Sequence, residues 1–209
     1  MNDEKVTKIN GITEGVIWKQ LLLFFFPILL GSLFQQFYNA VDAIVVGRFV
    51  GKEALSSVGG STGTLINLLI GFFLGLSAGS SVCISQYYGA RKEQEVADSV
   101  HTAMAMAIVG GAVLMVVGLL FTNQALIWMG VPEEIFNYSR QYMLIYFAGI
   151  IPNLVYNMGA GILRAVGDSR RPLYYLIVSC LLNIVLDLVF VVGLHMEIIG
   201  VAVATVISQ

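Results

Sequence analysis

Apolar residues run through this sequence in long blocks, with most charges gathered in the short stretches between them. A helix needs roughly 20 mainly apolar residues to cross about 30 Å of hydrocarbon. Five blocks meet that length, Val16–Val46, Leu55–Leu76, His101–Phe121, Tyr142–Leu163 and Leu173–Leu194. A sixth opens near Ile198 and reaches only Gln209, too short to span, so the sequence reads as ending inside a helix and as a piece of a longer protein. Helix starts are marked by Val131-Pro132-Glu133-Glu134 before the fourth block and by Gly167-Asp168-Ser169-Arg170-Arg171-Pro172 before the fifth. In the latter, Asp168 is placed to cap and Pro172 is tolerated in a first turn. The stretch Ser77–Ala90 either extends the second helix or breaks it at Gly79. The first block follows Lys19 as a signal peptide core would, but it continues through Phe34, Phe37 and Ile44 with no small-residue cleavage pattern, so it is expected to be retained.

The expected fold class is therefore all-α, a polytopic transmembrane helical bundle of five complete spans plus the start of a sixth, with residues 1–15 as a polar segment outside the bilayer. Composition agrees: 57% of residues are hydrophobic, 11% are charged, and mean hydropathy is +0.83. A soluble domain carries about a quarter charged residues. The net charge of −2 leaves no basic stripe for nucleic acid. Of the 11 basic residues, Lys5, Lys8, Lys19, Arg91, Lys92, Arg164, Arg170 and Arg171 fall on one side if the spans alternate, against Arg48, Lys52 and Arg140. That excess puts the N-terminus in the cytoplasm and the protein in the cytoplasmic membrane. Cys83 and Cys180 sit in apolar runs with no zinc or redox spacing, as free thiols packed among helices. Gly59, Gly60, Gly63, Gly71, Gly75 and Gly79 along the second helix are expected to let neighbouring helices approach closely.

Two carboxylates lie deep in apolar spans, Asp42 and Asp187, and neither has a lysine or arginine within a helical turn. An unpaired charge there costs several kcal/mol unless something compensates. Asn183 stands four residues before Asp187, so amide and carboxylate share one helix face. This oxygen-rich pair suits a hard monovalent cation or a protonated carboxyl; the plain alternative is a polar clamp between helices, with no ion moving. Pro27 removes a backbone hydrogen bond in mid-span and favours a kink on the helix that carries Asp42. Gln35, Gln36, Tyr38 and Asn39 give that helix a polar side, expected to line a cavity. His101 and His195 sit near helix ends as ordinary interfacial residues. No Ser-His-Asp arrangement, HExxH, P-loop or dinucleotide pattern is present, so no enzyme chemistry is indicated.

In order along the chain, several pieces resemble the N-terminal lobe of the multidrug and toxic compound extrusion (MATE) family. They are Pro27 with Asp42, Gly47-Arg-Phe-Val-Gly51-Lys-Glu-Ala-Leu55, Ser85-Gln86-Tyr-Tyr-Gly89-Ala90-Arg91, Gly161-Ile-Leu-Arg164-Ala-Val-Gly167-Asp168, Asn183 with Asp187, and Gly200-Val-Ala-Val-Ala-Thr205. The resemblance implies half of a twelve-helix, two-lobe antiporter that exchanges Na+ or H+ for organic cation drugs. It implies a cation or proton site at Asp42, Asn183 and Asp187, with Tyr142 and Thr205 as further partners and Pro27 as the hinge. No cofactor beyond the coupling ion is implied. The partners would be drugs, the lipid bilayer and a C-terminal lobe. A flippase for lipid-linked oligosaccharides, whose anionic cargo calls for basic residues at mid-membrane depth, and a non-transporting membrane scaffold are the competing functions.

Overall fold

The computed structural model of this protein describes residues 16–209; the expected cytoplasmic segment 1–15 lies outside the described residues. Eight α-helices follow one another, α1 (Ile17–Val45), α2 (Lys52–Gly59), α3 (Ser61–Gly89), α4 (Glu93–Trp128), α5 (Glu133–Ala148), α6 (Ile150–Ala165), α7 (Arg170–Asp187) and α8 (Glu197–Ser208), with no strand among the described residues. Wider π-helical turns continue α1 over Val46–Val50 and α7 over Leu188–Gly193. Four stretches are long and apolar enough to cross a membrane, Trp18–Val50, Lys52–Gly89, Glu93–Trp128 and Arg170–Gly193, and α5 with α6 forms a fifth if the bent pair counts as one span.

The chain is apolar outward. Phe37, Leu68, Phe72, Leu120 and Trp128 are each at least two-thirds exposed, which only a lipid surround makes favourable. Trp18 and Trp128 lie at opposite ends of their spans, where indole rings favour the interface. The buried core is built around α5 and the start of α6, with Tyr142, Met143, Tyr146, Phe147 and Ile150 packed with Val45 and Val46, Val191, Ile198, Val201 and Ala202.

Local chemistry accounts for the helix ends. Asp168 Oδ1 accepts the backbone N–H groups of Arg170 and Arg171 at 3.1 Å each, and its Oδ2 meets Arg171 Nε at 3.1 Å. That is the cap the sequence suggests, and α5 likewise starts at Glu133 directly after Pro132. Gly51 ends the first π-helical turn at φ +127°, a conformation open to glycine, with its N–H donating to Val46 O at 3.0 Å.

Three sequence expectations change. The second block is two helices: α2 is separate, and α3 runs through Ser77–Ala90 to Gly89 with no break at Gly79. The fourth block bends by 55° between α5 and α6. A Cβ at the Gly149 junction would collide with Val206 of α8, so the bend is where α8 seats. Close packing at the α3 glycines does not hold throughout: nothing lies within 4 Å of a Cβ built on Gly71, Gly75 or Gly79, which instead edge a groove of about 850 Å³ between α3 and α4. Exposed Cys83 lies on that groove, whereas Cys180 is buried as expected. Closer approaches lie elsewhere, at Gly110 and Gly118 of α4, which face the Phe73 and Phe147 rings, and at Gly161 of α6 against Ser77 of α3.

Candidate cation-binding site

Helix α1 carries Tyr38 and Asp42 one turn apart, and α7 carries Asn183 and Asp187 one turn apart. These two helices pack along each other, with Leu173 and Leu176 of α7 against Gly31 of α1. Along this contact the Asp42 and Asp187 carboxyl groups come within interacting distance. Helix α8 brings Thr205 and α5 brings Tyr142; the Tyr38 hydroxyl interacts with both Asp42 and Thr205, and Tyr142 is within electrostatic reach of both carboxylates. The Tyr142 ring stacks on Tyr146 at 6.2 Å between centroids.

Burial around these groups is deep. Asn183 and Asp187 are 0% exposed, Thr205 4% and Tyr142 8%. The two carboxyl groups can share one proton between them, and the Tyr38 hydroxyl is a further donor within reach of Asp42. Asp42 Oδ1, both oxygens of Asp187, both amide atoms of Asn183 and the Tyr38 hydroxyl are buried without a hydrogen-bond partner. Thr205 Oγ1 gives its hydrogen to Val201 O at 2.9 Å, which leaves its lone pairs for an electron-poor guest. Such unpartnered buried groups are rare in folded proteins, and their clustering marks this place as a candidate site. The donor set is two carboxylates with neutral amide and hydroxyl oxygens, the hard ligands that alkali ions and protons take. Among the described residues no group of three or more His, Cys, Asp or Glu is assembled, so no transition-metal or multi-carboxylate centre is built.

All five residues expected at the cation site, Asp42, Asn183, Asp187, Tyr142 and Thr205, are thus brought to one place. The four expected to line a cavity divide. Gln35 and Tyr38 wall a cavity of about 220 Å³ between α1, α6, α7 and α8, whereas Gln36 and Asn39 lie on the exposed surface of α1. Pro27 lies inside α1, which runs through it unbroken, and lines a second, smaller cavity with α6 and α7. Sequence reasoning missed the opposite wall of the larger cavity. There Asn157 Nδ2 donates to Asn153 O at 2.9 Å and to its Oδ1 at 3.0 Å, and Asn153 Nδ2 donates to Gln209 Oε1 at 2.9 Å. The signal was available, since Asn153 and Asn157 are four apart in an apolar run, as Asn183 and Asp187 are.

The described residues thus form an apolar helical bundle in which two carboxyl groups from different helices meet. The MatE family model matches residues 27–189, and the chain belongs to this family of multidrug and toxic compound extrusion proteins. It is 37% identical over 92% of its length to "Probable multidrug resistance protein YoeA" of Bacillus subtilis (strain 168), covering 42% of that protein. Solved structures described as MATE in the bent conformation and MATE in the straight conformation superpose on 98% of the chain with TM-scores of 0.88 and 0.89, each at 28% identity. The chain covers 45% of each, so it spans under half the length of the proteins it matches.

Proposed function

We propose that residues 16–209 form the N-terminal lobe of an antiporter in the cytoplasmic membrane that exports organic cations by alternating access, driven by Na+ or H+ moving inward. The lobe would act with a C-terminal lobe to enclose the drug, and the N-terminus would lie in the cytoplasm. The observation that carries this reading is the meeting of Asp42 and Asp187, from α1 and α7, around buried groups that have no hydrogen-bond partner. A coupling ion or proton bound among Asp42, Asn183, Asp187, Tyr142 and Thr205 would supply the missing charge and donors. Release of that ion leaves two unneutralised carboxylates, which favours a rearrangement of α1 against α7; Pro27 is the position at which α1 would bend. The bent and straight forms named for two similar structures support such a movement. A flippase for anionic cargo fits less well, because Asp42 and Asp187 lie just beyond Tyr38, a wall residue of the larger cavity.

The test is efflux of ethidium from cells expressing the whole gene, under imposed Na+ or H+ gradients, for wild type, Asp42→Asn and Asp187→Asn. Loss of gradient-driven export in both variants at equal expression supports the site, and the effective gradient names the ion. Export that persists in both makes the carboxylates a structural clamp. If wild type exports no cation, the flippase becomes the leading function.

A further inference from the structure

Arg164 is the charged residue of the Gly161–Asp168 segment that the ion site leaves without a role. It stands in the last turn of α6, half-buried, and faces a cavity of about 90 Å³ walled by Pro27, Gly31 and Ser32 of α1, Tyr156 of α6, and Ser169 and Leu173 at the start of α7. No carboxylate lies on that wall. The nearest acid in sequence, Asp168, is already engaged by Arg171 and by two backbone N–H groups of α7. Arg164 makes no ion pair or side-chain hydrogen bond with the described residues, and the polar neighbour it acts on is the phenol of Tyr156. The phenol in turn gives its hydrogen to Pro172 O at 3.3 Å, so its oxygen offers no negative charge.

The Arg164 guanidinium has no counter-charge and keeps its nitrogens accessible, and its planar fork matches tetrahedral oxyanions. The cavity lies beside the first turn of α7. It is far smaller than the roughly 300–1,000 Å³ of drug pockets, yet holds several water-sized groups. We propose that Arg164 binds a phosphate group in this cavity, wedged between α1, α6 and the start of α7. A phosphate seated there ties the Pro27–Ser32 segment of α1 to Arg164 of α6, so its occupancy opposes any bending of α1 at Pro27.

The experiment uses the detergent-extracted whole protein and native mass spectrometry with three probes, phosphatidylglycerol, diacylglycerol of the same chains, and inorganic phosphate alone. Wild type should retain one phosphatidylglycerol and no diacylglycerol, with affinity falling about tenfold or more in Arg164→Gln and unchanged in Arg170→Gln. Displacement of the lipid by inorganic phosphate, with phosphate binding lost in Arg164→Gln, identifies a free phosphate as occupant; lipid that phosphate does not displace identifies a headgroup. In wild type alone, bound phosphate ligand should shield Arg164 from an arginine-selective dicarbonyl reagent while Arg170 and Arg171 still react. Retention unchanged in a folded Arg164→Gln protein, equal loss in Arg170→Gln, or no shielding of Arg164 each overturns the proposal.

Discussion

Replacing Asp187 with asparagine should stabilise the folded protein while it abolishes transport, an outcome opposite to that of most buried polar substitutions. Asp187 is 0% exposed and neither of its oxygens has a donor; Asp42 Oδ1 and the Asn183 amide beside it are also unpartnered. Asparagine keeps the shape, ends the coupling between two buried carboxyl groups, and brings an NH2 group to acceptors beside it. A hydrogen bond to a charged acceptor contributes about 1.5–3 kcal/mol, and relief of like-charge repulsion acts in the same direction. Taking about 2 kcal/mol, and about 2 °C per kcal/mol for a chain of this size or larger, the melting temperature should rise by about 4 °C. The measurement is a thermal melt of detergent-purified protein, followed by size-exclusion fluorescence, in potassium buffer without sodium. Equal or lower melting for a monodisperse Asp187→Asn protein would refute the reasoning, because it would mean that the carboxylate is already satisfied in the resting protein.

If Na+ is the coupling ion, adding it in place of K+ should raise the wild-type melting temperature, by about 2.7 kcal/mol of stability at a hundred times the dissociation constant, and should not move Asp42→Asn; no wild-type response favours the proton. Gly118→Ala and Gly75→Ala should separate sharply in the same melt. At Gly118 a Cβ would overlap the Phe147 ring, costing about 1–3 kcal/mol, whereas at Gly75 it meets nothing within 4 Å, and the gain in helix propensity is about 0.5–1 kcal/mol. Equal melting of the two would show that Phe147 moves aside freely.

The spans were legible because the hydrocarbon thickness imposes a length that a block of apolar residues either meets or does not. The bend between α5 and α6 was not, because both halves are apolar and only the seat of Val206 against Gly149 shows why the helix must turn. Nor was the separation of α2, which depends on how the chain passes through Gly51 and Gly60. A pattern of apolar residues records which segments prefer lipid, and carries little about where two such segments change direction within it.

The site divides along the same physical line. Asp42, Asn183 and Asp187 stand out in the sequence because a carboxylate in an apolar run is costly wherever the fold puts it. Tyr142 and Thr205 do not, since a hydroxyl in a membrane helix is easily satisfied by its own backbone, as Thr205 is by Val201; only the family resemblance pointed to them. Proximity in sequence also misleads: Gln36 is six positions from Asp42, well off its helix face, and lies exposed, whereas Tyr38, one turn away, adjoins the carboxylate. The meeting itself depends on α1 lying along α7, with Leu173 and Leu176 packed against the Gly31 position. Both carboxylates then run into a π-helical turn, Val46–Val50 after Asp42 and Leu188–Gly193 after Asp187, and the two turns touch. Such turns carry strained backbone hydrogen bonding and recur at functional sites. Their pairing places the two least regular stretches of α1 and α7 beside Asp42 and Asp187, so that on the proposed mechanism a change of charge there would act where the regular helical hydrogen bonding is already interrupted.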